Sequence, residues 1–202
     1  MIPKDLPVTQ HGNIIHVLQP SFWIDDVKQI SGDNKIEVRL KSEKDWLHVK
    51  QQFSEECYIL PVDGKFGVFG FSGLPVRKPD DFKYDWTKED PSTGKTQTVT
   101  KGVGDCDCLI IHNMWHFIEF KTDASSTSLI QIDNNTRKAF FQLARTLTSV
   151  REACSHIFNA KCLIVGPKIY PKTPASIMTQ KLKFKKYNAD LEFIKVDDTY
   201  HL

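Results

Sequence analysis

The spacing of apolar and polar positions divides the chain into a strand-rich first part and a second part in which helices alternate with strands. Ile14 to Leu18 is a short β-rich run, Ser21 to Ile30 fits neither period cleanly, and Lys35 to Lys41 alternates as a strand does. Ser42 can serve as an N-cap, with Trp46, Val49 and Phe53 on one face of a helix reaching about Glu56. Tyr58-Ile59-Leu60-Pro61 reads as a strand ended by proline. Residues 63–95 hold much of the glycine and proline, and read as strand fragments and long loops where an insertion would sit. Thr96, Thr98 and Thr100 then alternate, and Asp107 to Ile111 and Trp115 to Lys121 follow as two β-rich runs, together a β-meander. Phe140, Leu143, Leu147, Val150 and Cys154 recur at three- and four-residue intervals, the apolar stripe of a helix beginning near Asp133 to Thr136. Lys161 to Val165 is a short buried strand closed by Gly166-Pro167. Thr173-Pro174 is an N-cap and N1 pair for a basic helix toward Tyr187, and Leu191 to Val196 is a final strand. This order predicts an α/β protein with a mixed β-sheet flanked by helices.

Composition narrows the class. With 202 residues, 40% hydrophobic and 26% charged, the chain suits one soluble globular domain that needs no disulfides to hold its core. No apolar run approaches the roughly 20 residues of a bilayer helix, and MIPKDLPVTQHG lacks the basic and apolar regions of a secretory signal. The five cysteines, at 57, 106, 108, 154 and 162, are odd in number and form no CxxC pair, which fits a reducing cytoplasm. The net charge of +2 conceals an uneven distribution: from Lys161 to Lys186 there is no Asp or Glu, yet Lys161, Lys168, Lys172, Lys181, Lys183, Lys185 and Lys186 all fall there. Such a segment is either a solvated face or a surface for phosphates.

The chemistry concentrates in GDCDCLIIHNMWHFIEFKTD, residues 104–123. Glu119 and Lys121 point to the same face of their strand, about 7 Å apart along it. Charges among the apolar Phe117, Ile118 and Phe120 are costly unless they are paired or hold a metal. A three-residue loop at His112-Asn113-Met114 would pair Ile111 with Trp115, Leu109 with Phe117, Asp107 with Glu119 and Asp105 with Lys121. Directly opposed carboxylates stand about 5 Å apart, an arrangement that becomes favourable with a divalent cation between them. A two-residue loop would instead set Cys108 opposite Glu119.

Asp107, at the start of one strand, and Glu119-Phe120-Lys121, on the next, resemble the PD-(D/E)xK nuclease superfamily, whose signature is an acid opening one strand and (D/E)-x-K on its neighbour. Many members carry a glutamine on the following helix, where Gln142-Leu143 stands. The resemblance covers roughly residues 95–196 and implies a restriction-endonuclease-like αβββαβ core (95–202) with an N-terminal elaboration and first helix (1–94). It also implies that Asp107, Glu119 and the Phe120 carbonyl bind Mg²⁺ or Mn²⁺, and that Lys121 positions the attacking water and offsets transition-state charge. Asp105 competes with Asp107 for the first acidic role. Glu55 and Glu56 are the candidates for the glutamate that many relatives supply from the preceding helix. Gln142 lies off the apolar stripe with Lys138 and Arg145, on a side that faces either solvent or a phosphate backbone.

Other chemistries have less support. Cys106-x-Cys108 with His112 and His116 invites zinc, but His112 would lie on the order of 13 Å along a straight strand from Cys108. P-loop, GxSxG and HExxH motifs are absent from the sequence. The expectation is a Mg²⁺- or Mn²⁺-dependent endonuclease acting on nucleic acid, DNA before RNA, in a defence, restriction or repair setting. Lys138, Arg145, Lys181, Lys183, Lys185 and Lys186 are the phosphate contacts, and a homodimer or a protein partner is compatible with it. The alternative is a catalytically inactive nuclease-like subunit that binds nucleic acid or a partner protein.

Overall fold

A computed structural model describes residues 14–52, 56–62, 82–90, 92–153, 159–171 and 175–202. Its strands are β1 (Ile15–Val17), β2 (Ser21–Lys28), β3 (Asn34–Arg39), β4 (Leu47–Lys50), β5 (Cys57–Pro61), β6 (Lys83–Glu89), β7 (Thr96–Gly102), β8 (Cys108–Ile111), β9 (Trp115–Phe120), β10 (Ala160–Gly166), β11 (Asp190–Lys195) and β12 (Thr199–His201). Helix α1 (Leu129–Ala153) lies between β9 and β10, and α2 (Ala175–Phe184) lies between β10 and β11. A mixed six-stranded sheet runs β1-β5-β8-β9-β10-β11, antiparallel from β1 through β9 and parallel from β9 to β11. A second sheet runs β12-β4-β2-β3, and β6 pairs with β7 as a separate ribbon.

Two cores follow from strand alternation. Leu109, Ile111, Trp115 and Phe117 point to one side of the large sheet and pack with Phe140, Leu143, Leu147, Ile177 and Phe184 of the helices. Cys108, Ile110, Ile118 and Phe120 point to the other and pack with Phe22, Ile24, Leu47 and Val49 of the second sheet. The layers are therefore helices, sheet, sheet. The mixed α/β class agrees with the sequence, but among the described residues the helices cover one face only and a second sheet takes the place of helices on the other.

The helix expected after Ser42 is not formed. Asp45 has φ 63°, in the left-handed region that a continuing helix excludes. Leu47 and Val49 alternate as buried residues in β4, which pairs with both Ser21–Ile24 and Thr199–His201. Sheet pairing on two sides outweighs the chance helical spacing of Trp46 and Val49; Phe53 lies outside the described residues. The Thr96–Thr100 run is a strand but pairs with β6 and not with β8. The meander is instead β5-β8-β9, so the first of its strands comes from the N-terminal half. Helix α1 begins a turn earlier than expected, and β12 follows the strand expected to be last. The Thr173-Pro174 cap, Cys154, Lys172 and residues 63–81 lie outside the described residues.

Asn134 of α1 holds the ribbon in place: its Nδ2 donates to the Thr87 carbonyl at 2.6 Å and its Oδ1 accepts from the Thr87 N–H at 2.9 Å. A buried amide thus satisfies the edge of β6 as another strand would.

His116 gives the fold a pH dependence. Its side chain is buried beside Tyr200, whose hydroxyl lies 2.8 Å from Nδ1, and burial, with smaller contributions from Lys161 and His112, pushes the imidazole down to about 3. The ordinary value is 6.5, so the neutral ring supports the fold fully above that pH, and the support is lost as pH falls from 6.5 toward 3. Between pH 7 and about pH 4 the wild type should lose on the order of 3 kcal/mol more unfolding free energy than His116→Gln. Urea titrations of both proteins check this, and parallel pH profiles would refute it.

Candidate active site

The β8–β9 hairpin has the three-residue turn 112–114, with Ile111 opposite Trp115, Leu109 opposite Phe117 and Cys108 opposite Ile118. Asp107 lies one residue beyond that ladder. Its N–H donates to Ile118 at 3.0 Å, its carbonyl accepts from Val62 at 2.9 Å, and its Oδ2 accepts from the Phe120 N–H at 2.6 Å. The carboxylate thereby takes the role of a ladder carbonyl and is fixed at the end of the strand pair.

Glu119 follows Phe117 on the helix-facing side and is 1% exposed. Lys121 Nζ donates to Glu119 Oε1, to the Phe120 carbonyl at 3.2 Å and to Gln142 Oε1 at 3.3 Å. Three oxygens thus surround one ammonium group. Burial, then the Glu119 charge, pushes the Asp107 carboxyl well above its ordinary range. Glu119 is also raised by burial, with Lys121 offsetting part of the effect. Burial alone would lower Lys121, but Glu119 and Asp107 more than compensate and its pKa is raised. Lys121 is the counter-ion of two crowded carboxylates.

Gln142 is buried and not solvent-facing: its Nε2 donates to the Asp105 carbonyl at 2.9 Å while its Oε1 receives Lys121. Asp107, Glu119, Lys121, Lys138 and Gln142 all line a cleft of about 900 Å³. Lys138 is half-buried there, its pKa lowered by desolvation and by Lys121.

The cleft also contains acids that sequence reasoning missed. Asp25 and Asp26 reach it from β2, and Asp123 from the turn after β9. Burial raises Asp25 to about 6, against a hydrogen bond from Thr122 Oγ1 at 3.2 Å. Asp26 is raised by burial, accepts from Asn34 Nδ2 at 2.5 Å, and its charge acts on both Asp107 and Glu119. Their signal was present in FWIDDVK, where two consecutive acids interrupt an apolar strand.

Other expected residues lie elsewhere. Asp105 does not face Lys121; it is buried against α1, with Oδ1 3.4 Å from Arg145 Nε and 3.3 Å from Thr146 Oγ1. Arg145 is also buried, donating to the Val103 carbonyl at 2.6 Å, so it anchors residues 103–105 and presents nothing to a substrate. Glu56 is exposed and precedes the β5 end that pairs Tyr58 with Ile111, whereas Pro61 pairs with Cys108. It therefore sits at the turn end of the hairpin, away from Asp107, and accepts from Tyr58. Glu55 lies outside the described residues. Lys183 borders a neighbouring recess with Tyr84 and Arg137. Lys185 lies by Met114 at the hairpin turn, remote from Glu119, and Lys186 lies over the Tyr187 ring. Lys181 is half-buried in the last turn of α2. These lysines do not form one surface with the cleft. Cys108 faces the second sheet, whereas Cys106 joins the helix-side core, its N–H bonded to Thr146.

The donor set suits a hard cation. Glu119 Oε2 is a buried carboxylate oxygen with no hydrogen-bond partner, and Asp107 and the Phe120 carbonyl supply further oxygen. Among the described residues no three His, Cys, Asp or Glu side chains form a preassembled metal cage. Magnesium needs none, since it keeps several waters and takes one or two carboxylates. No family model, curated protein or solved structure matches the chain. No helix among the described residues is long and apolar enough to cross a membrane.

Proposed function

We propose that this protein is a divalent-metal-dependent nuclease of the PD-(D/E)xK type, hydrolysing phosphodiester bonds of nucleic acid, with DNA favoured over RNA. The observation that carries the reading is that Asp107, Glu119, Lys121 and Gln142 line one cleft, Lys121 being held between Glu119 and Gln142. Asp107, Glu119 and the Phe120 carbonyl would hold Mg²⁺ or Mn²⁺, with Asp26 on the wall of the same cleft, where its charge raises both carboxylates. A bound cation of this kind supplies Lewis acidity at the phosphate and a lowered pKa for water. Lys121 would orient the attacking water and offset charge developing on the phosphate oxygens. Gln142 fixes the Lys121 ammonium, and Asp105 with Arg145 and Thr146 ties α1 to the hairpin so that this contact keeps its geometry.

The core β5-β8-β9-α1-β10 is compatible with a restriction-endonuclease-like arrangement in which the second sheet stands in for the first helix. A cytoplasmic setting suits the four described thiols, all free and buried. Incubating purified protein with plasmid DNA, single-stranded DNA and RNA, with Mg²⁺, Mn²⁺ or EDTA, tests the activity. Metal-dependent cleavage is expected. Metal-independent binding without cleavage of any substrate would favour the inactive nuclease-like subunit.

A further inference from the structure

We propose that the cleft takes single-stranded DNA, an unpaired segment or a strand end, in preference to duplex, with Trp86 and Trp46 on its walls stacking bases while lysines beside them meet phosphates. The inference rests on the nuclease reading and names the substrate form that the same site accepts.

Depth is the first reason. Glu119 is 1% exposed and the Lys121 side chain 12%, so a phosphate must descend into the cleft to reach them. Duplex DNA is stiff over about 150 base pairs and holds its phosphates on a cylinder, whereas a single strand can bend a phosphate inward. The volume of about 900 Å³ is that of a recess for a few nucleotide units; small-molecule sites run to roughly 1,000 Å³.

The walls are the second reason. Trp86 comes from the β6–β7 ribbon and Trp46 from the Asp45 turn before β4, both half-buried and both lining the cleft. Lys101 Nζ lies over one face of the Trp86 ring, 4.5 Å from its centre. The Arg39 guanidinium lies over Trp46 at 5.4 Å but is ion-paired with Glu37 and Glu43, so on this wall the phosphate contacts fall to lysines. Lys28 and Lys44, exposed on the second-sheet side, border the same space. Aromatic platforms interleaved with cations are how proteins hold single strands without reading sequence, because every base offers a π-face and every linkage a phosphate. The ribbon itself is held against α1 by the Asn134–Thr87 pair, so this wall is built into the fold and does not depend on a substrate to form.

Binding measured in EDTA tests the proposal apart from cleavage. Anisotropy titrations should use fluorescein-labelled oligothymidylate longer than the ~4–16 nucleotides one groove spans, and a duplex of equal length. The single strand should bind at least about tenfold more tightly, and Trp86→Ala should weaken it about tenfold while leaving the duplex unchanged. Lys101→Ala should reduce the salt slope by about one. If Trp86→Ala fails to fold, quenching of wild-type tryptophan fluorescence by oligothymidylate, reduced in Trp86→Phe and in Trp46→Phe, gives the same information. Equal or tighter duplex binding overturns the proposal, as does unaltered single-strand binding in folded Trp86→Ala and Trp46→Ala proteins. Preferential single-strand binding with no metal-dependent cleavage would leave this inference standing and end the nuclease reading. Cleavage without single-strand preference would do the reverse.

Discussion

Glu119→Ala is expected to abolish cleavage, lower Mg²⁺ affinity and destabilise the fold. The three effects have one origin. Glu119 is the closest counter-charge of Lys121, and removing it leaves the ammonium with only neutral oxygens at Phe120 and Gln142 in contact. Breaking a buried pair by removing one member costs about 3–5 kcal/mol, because the remaining charge stays desolvated. Asp107, whose carboxylate still caps the hairpin through Phe120 N–H, can compensate in part, which puts the expected loss at the lower end, about 3 kcal/mol. Metal affinity falls because magnesium uses few protein carboxylates and one of them is gone. Glu119→Gln separates these effects in part: the amide keeps an oxygen for Lys121 but not the counter-charge, so only the hydrogen-bond share of the stability should return, while metal affinity and cleavage do not. Thermal unfolding, Mg²⁺ calorimetry and single-turnover cleavage on the two variants supply the comparison, and recovery of cleavage in Glu119→Gln would remove Glu119 from the metal-binding role.

Lys121→Ala is expected to act in the opposite direction on metal and in the same direction on rate. The ammonium sits among Glu119 Oε1, the Phe120 carbonyl and Gln142 Oε1, and two of these are oxygens a cation would use. Without a metal, Lys121 is therefore a tethered competitor for that position. Its removal should tighten Mg²⁺ binding and enlarge the thermal stabilisation by Mg²⁺, since a buried Glu119 without its partner gains most from a divalent ion. The single-turnover rate should nevertheless fall by ~100-fold or more, the usual cost of losing one preorganised electrostatic contact to a transition state. Full activity would show that the Glu-x-Lys spacing is an accident of strand composition. Weaker Mg²⁺ binding would show that Lys121 organises the carboxylates more than it competes for them.

The parts of this site that were legible in the sequence are those fixed by local rules. An odd hairpin turn sets parity, so a turn at 112–114 fixes the partners of Ile111 and Leu109 and the side of Glu119. The stripe Phe140, Leu143, Leu147 and Val150 gave α1 because a long amphipathic helix repeats its signal many times. Short segments did not have that advantage. Residues 42–50 carry apolar positions compatible with either period, and the choice is made by partners distant in sequence, Ser21–Ile24 and Thr199–His201. The same long-range pairing brings Asp25 and Asp26 to the cleft, which no local pattern could place. Arg145 was misplaced for a different reason: a helical wheel gives direction but not what stands opposite, and what stands opposite is Asp105 and the Val103 carbonyl.

Single-turnover hydrolysis of an end-labelled DNA strand by the wild type and by Asp107→Asn, each with Mg²⁺ and with EDTA, bears most directly on the metal-dependent nuclease reading. Asparagine retains an oxygen for the Phe120 N–H, so the hairpin end should persist while the charge is lost. The expected result is hydrolysis by the wild type with Mg²⁺ alone, none with EDTA, and none by a folded Asp107→Asn. Equal hydrolysis by both proteins, or hydrolysis that survives EDTA, would contradict a metal-dependent site at Asp107 and Glu119.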